Sequence, residues 1–144
     1  MTVRPLPQYA GAAAWSLPPV IVLGWAYWRH GDSVDRMPQH WSFTGVADGY
    51  AAPLSFFLDC FLPTVGCVIL SVLFAVIFDK TVGRWAASLG FGALAAVGAA
   101  FALLWCVSFR EAFGLTNSRA LILVPIAWGT AAFIVAVFGG RRRS

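Results

Sequence analysis

The chain has 144 residues, 60% of them hydrophobic and only 11% charged, with a formal net charge of +4. That length holds one domain, 1–144, and that composition argues against a water-soluble globule, which could not hide so much apolar surface. The ten basic residues flank apolar runs instead of gathering on one face, so no nucleic-acid partner is expected.

Residues 1–8 are a short polar lead with Arg4 and two prolines. The first apolar run, about 10–28, is long enough to cross a hydrocarbon core of ~30 Å. No small-residue cleavage site follows it, so an uncleaved helix is expected. Pro18 and Pro19 should kink this helix or start a tighter-wound second half. Trp25, Tyr27 and Trp28 read as an interfacial belt at its exit. A polar connection, 29–53, leads to the second run, 54–78, which Asp59 and Pro63 interrupt. After a tight polar turn at 79–84 come the third run, 85–109, a connection at 110–118, and the fourth run, 119–138, with Pro125 in its first half. Gly139-Gly140 and the basic tail Arg141-Arg142-Arg143-Ser144 end the chain.

In lipid the backbone must satisfy its own hydrogen bonds, so apolar runs of this length become helices. The ten-residue alternating segments of a barrel are absent. The expected fold is an all-α integral membrane protein: four transmembrane helices with a structured extracytoplasmic loop between the first and second. Cys60, Cys67 and Cys106 lie inside apolar runs without metal-ligand spacing. Cys60 and Cys67 are two turns apart, roughly 10 Å, too far for a disulfide. All three read as apolar fillers.

With four spans both termini share one side, which carries Arg4, Lys80, Arg84, Arg141, Arg142 and Arg143. The other side carries Arg29, Arg36, Arg110 and Arg119. The excess, with the tail triplet, places both termini in the cytoplasm and the 29–53 loop outside. On the third helix Ser88, Gly92, Ala96 and Ala100 recur every fourth residue, a small-residue face that lets helices approach closely, with Ala95, Ala99 and Ala102 beside it. Docking within the chain is favoured over a partner subunit. Asp59 lies about five residues into the second span, where an acidic group marks an ion path or a buried pair. Its shallow depth favours snorkelling or pairing with Arg29, Arg36 or Arg110. The apolar middle of the spans supports no proton relay.

The chemistry concentrates in 35–50. Pro38 pushes Met37 toward an extended conformation. Polar and aromatic residues alternate from His40 to Thr44, which suits a short ribbon with Trp41 and Phe43 on one side. Gly45 and Asp48-Gly49 are tight-turn signals. His40 could serve as a metal ligand, pH sensor or general base, with His30, Asp32, Asp35 and Asp48 near in sequence. No ligand spacing supports a metal site, and no nucleophile motif or phosphate-cradling loop supports an enzyme. A His40 that braces the loop's own backbone is therefore favoured, and neither cofactor nor metal is expected. The connection should be a folded cap.

Asp35, Pro38, His40, Trp41, Gly45, Asp48, Gly49 and Tyr50 also resemble a pattern found in many bacterial membrane proteins. In that domain of unknown function a helix precedes a loop reading roughly P-D-x-I-P-x-H-F/W-N-x-x-G-x-x-D-G-Y, and a further helix follows. Met37 stands where an aliphatic residue is usual, Ser42 where Asn is usual, and Ala51-Ala52 where Ser-Lys often follows. The resemblance covers roughly residues 10–78. The same domain forms the front part of SdpI-type proteins, which confer immunity to a secreted killing factor and relay its presence to a cytoplasmic repressor. The region those proteins add after it has no match in 85–144. What the resemblance implies is a bacterial inner-membrane protein with a toxin-immunity or envelope-sensing role and an extracellular peptide as partner. The residues alone leave a rival open: an accessory subunit of a larger membrane complex, such as a transporter, or a homo-oligomer.

Overall fold

The computed structural model describes residues 7–115, 121 and 123–138. Arg4, the expected start of the fourth helix at 119, Gly139-Gly140 and the basic tail lie outside them. The four apolar runs are four helices: α1 Pro7–His30, α2 Pro53–Thr81, α3 Arg84–Ala112 and α4 Leu123–Phe138. Between α1 and α2 lie one 3-10 turn, Gly31–Ser33, and an antiparallel hairpin of β1, Met37–Trp41, and β2, Ala47–Ala51. Helices α2 and α3 are long and apolar enough to cross a membrane, with mean hydropathies of 2.6 and 2.0 over their most apolar windows. The described part of α4 is apolar but only 16 residues long.

Helices α2 and α3 each run about three residues past their apolar cores. α2 continues through Asp79-Lys80-Thr81, because the i to i−4 ladder does not require apolar side chains. The chain then reverses in two residues. The amides of Val82 and Gly83 both donate to the Phe78 carbonyl, and Gly83 takes φ 105°, where a side chain would be strained. Nor do Pro18 and Pro19 divide α1, which stays α-helical to His30 without a tighter second half. Two missing donors leave the turns on either side bonded, and α1 is held against its neighbours, with Leu23 fully buried.

Helix α3 is the centre of the bundle, and its small residues explain why. On one side Gly98 faces α2, where an added Cβ would lie 3.2 Å from Cys67 Cβ. There Thr64 Oγ1 donates to the Cys60 carbonyl at 2.7 Å and reaches the Gly98 carbonyl at 3.3 Å. On another side Gly92 and Ala96 meet Gly129 of α4. A Cβ on Gly92 would lie 2.8 Å from the Gly129 carbonyl oxygen, and a Cβ on Gly129 would lie 2.6 Å from Ala96 Cβ. Thus Ser88, Gly92 and Ala96 are used within the chain, whereas Ala100 is exposed. A four-residue repeat drifts ~40° per step on a 3.6-residue helix. By its third step the row has left the contact.

Two apolar clusters result. Ala75, Phe91, Ala95, Ala132 and Ala136 join α2, α3 and α4. Leu23, Met37, Phe56, Cys60, Ala102 and Trp105 join α1, α2 and α3 beneath the hairpin.

Candidate functional site

The loop is a folded cap, but its strands are not where residue alternation puts them. The ribbon expected at 40–44 is instead the end of β1 followed by the turn. Met37 pairs with Ala51, Pro38 with Tyr50, His40 with Gly49 and Trp41 with Ala47. The register shifts on either side of His40, leaving Gln39 and Asp48 without opposite partners. The turn is closed by Ser42, whose amide donates to the Val46 carbonyl at 2.8 Å and whose carbonyl accepts from Gly45 at 2.8 Å. Gly45 sits at φ 82°. Asp48-Gly49 is no turn; it lies within β2.

Each aromatic of the ribbon goes its own way. Trp41 points into the molecule and donates from Nε1 to Glu111 Oε2 on α3 at 2.6 Å. Phe43, expected on the same side, is fully exposed at the hairpin tip. A second tie runs from Ser108 Oγ to the Pro38 carbonyl. Between the two ties Met37 is fully buried against the bundle. The cap is pinned to the end of α3 by a buried side chain and two hydrogen bonds.

His40 Nδ1 and Asp48 Oδ1 lie 2.5 Å apart, on the exposed side of the hairpin. The carboxylate comes from the bulged residue and reaches the ring from across the ladder. Gly49 makes room for this pair, since a Cβ there would lie 2.9 Å from His40 Cβ. Gly49→Ala is therefore expected to shift the hairpin register and to cost about 1–3 kcal/mol. Amide exchange across 37–51 checks this, and unchanged protection contradicts it.

The cap and the end of α3 enclose a cleft of about 880 Å³. Asp35, Arg36, Pro38, Gly45, Tyr50 and Glu111 are among the residues that line it. The eight loop residues singled out above therefore divide. Asp35, Pro38, Gly45 and Tyr50 border the cleft. His40 and Asp48 form their own pair outside it, Gly49 lies under that pair, and Trp41 anchors the cap. Sequence reasoning missed Ser108 and Glu111. Glu111 is the only glutamate in the chain, a signal that was available.

Below the cap the rings of Trp105 and Phe109 on α3, and of Phe113 just past its end, follow one another with centroids 5.2 and 5.0 Å apart. His30 lies against Phe109 at 5.6 Å and does not join His40. Among the described residues no three His, Cys, Asp or Glu side chains cluster closely enough to hold a metal ion. Asp59 is exposed on α2 and forms no ion pair among the described residues, so the expected pairing with Arg29, Arg36 or Arg110 is not made.

Fold and site together define a small, mostly helical protein with two helices able to cross a membrane and a hairpin clamped over one end. Comparison with protein-family models, curated proteins and solved structures finds no match.

Proposed function

We propose that the chain is a four-span protein of a bacterial cell membrane whose cap presents a recognition surface outside the cell, in the manner of SdpI-type immunity or envelope-sensing proteins. Both termini are cytoplasmic on this reading, because six of the ten basic residues then face inward. The protein acts by binding and not by catalysis. An extracellular peptide is the ligand class that fits an open cleft with charged and aromatic walls.

One observation carries the reading. The cap is tied to α3 by Ser108 and Glu111, and the cleft is built from the cap and that same helix end. A ligand that fills the cleft touches Glu111 beside the Trp41 bond, so occupancy outside and the position of a spanning helix are coupled at one residue. Arg36→Ala and Tyr50→Ala, both in the cleft wall, should each abolish protection or signalling while the protein still inserts. If both behave as wild type in a protection assay, the cleft does not carry recognition.

The rival reading, an accessory subunit, draws on the small-residue face of α3 and on the lack of deep polar groups in the spans. The Gly92–Ala96 part of that face is taken up by Gly129 of α4, while Ala100 stays exposed. Purification in mild detergent separates the two readings, because a stoichiometric larger partner supports the accessory role.

A further inference from the structure

Helix α2 turns one face away from the rest of the chain, and that face carries a carboxylate. Tyr27 of α1 and Phe57 of α2 stack with ring centroids 4.1 Å apart, which marks the sides on which these helices meet. A helix turns about 100° per residue. Asp59 and Arg29 each lie two residues beyond a stacked ring, hence roughly 200° round, on the far sides of α2 and α1. Both are exposed, and neither forms an ion pair among the described residues. Leu62, Leu73 and Ile77 share the outward face of α2 with Asp59. Between them sits Gly66, where an added Cβ would meet nothing within 4 Å. Val22 and Trp25 are exposed on α1 on the side of Arg29.

The depths also agree. Helix α1 rises toward the cap and α2 descends from it, so Arg29 lies about 3 Å above Tyr27 and Asp59 about 3 Å below Phe57 at ~1.5 Å per residue. An offset of about 6 Å along the bundle is within the span of a flexible arginine.

This inference rests on the membrane reading above, which places Asp59 about 9 Å down α2 from Pro53. A lone carboxylate facing lipid is costly, and the short stem of Asp59 reaches less far toward the interface than the long Lys and Arg side chains do. We propose that the outward face of α2, centred on Asp59 and Gly66, docks on the α1 flank of a second copy of this chain, where Arg29 meets Asp59. The chain supplies both charges, each without an ion pair within its own described residues and about 6 Å apart in depth, within an arginine's reach. Gly66 supplies the close approach that helix association in lipid uses. Because the two flanks lie on opposite sides of the α1–α2 pair, the contact is head-to-tail, of the kind that builds a ring when its rotation closes.

Native mass spectrometry of the full chain in lipid nanodiscs tests this. The expected result is a homo-oligomer that Asp59→Arg or Arg29→Asp each reduces to monomer, and that the variant carrying both changes restores. With Cys60, Cys67 and Cys106 replaced by alanine, Gly66→Cys and Val22→Cys should be joined between copies by a short bismaleimide. A monomeric wild type, a complex formed only with a different protein, or a double variant that stays monomeric overturns the proposal. Carbonate extraction keeps the two readings apart. A monomer retained in the membrane fraction removes only the docking, whereas release of the chain from the membrane removes the membrane reading itself.

Discussion

Gly129→Leu should lower stability by about 3 kcal/mol, the upper end of what overpacking costs. At Gly129 any Cβ would lie 2.7 Å from the Gly92 carbonyl oxygen and 2.6 Å from Ala96 Cβ. The obstacle is backbone and a Cβ, neither of which can rotate aside, so α4 must move away from α3. Gly92→Leu meets the reciprocal obstacle, the Gly129 carbonyl oxygen at 2.8 Å. The two substitutions should be markedly less than additive, because the first already separates the helices. Unfolding in detergent, followed by helical circular dichroism, measures all three variants. Full additivity would show that the glycines act through separate contacts.

Met37→Ala is the second large effect, about 2–5 kcal/mol for a fully buried methionine. Met37 lies among Leu23, Phe56, Cys60, Ala102 and Trp105, so the cavity would open where the cap meets three helices. The loss should also appear locally, as faster amide exchange throughout 37–51 while α3 near Gly92 keeps its protection. Phe43→Ala at the exposed tip is the control, expected to fall within about 0.5 kcal/mol of wild type. Equal effects at the two positions would mean that the cap is held by something other than its buried residue.

The helices were legible because apolar length is a strong signal, and four runs became four helices. Their ends were not, since Asp79-Lys80-Thr81 looks like a turn by polarity yet sits comfortably in a helix. The folded character of the loop was also legible, from Pro38 and Gly45. Its strands were not. β2 reads Ala-Asp-Gly-Tyr-Ala, with no β-branched residue, and gains its partner only through pairing with β1. Asp48-Gly49 carries turn chemistry that the bulge at His40 puts to another use. The partners of Ser108 and Glu111 had no local signature, even though Glu111 stands out as the one glutamate, because they lie 70 residues away. The division of the loop residues between a cleft and a separate His40–Asp48 pair followed from that distant anchoring.

The same separation sets an order of events during synthesis. The hairpin can pair as soon as Ala51 completes its second strand, but its anchors Ser108 and Glu111 come 57 and 60 residues later in the chain. At about 5–20 residues per second the ribosome needs roughly 3–12 s to supply them. Throughout that interval Met37 and Trp41 have no α3 to bind, and the nascent cap is open to proteases and to misdirected pairing. Arrival of the third helix ends that exposure, so a cap that resists proteolysis reports that α3 has been made and seated.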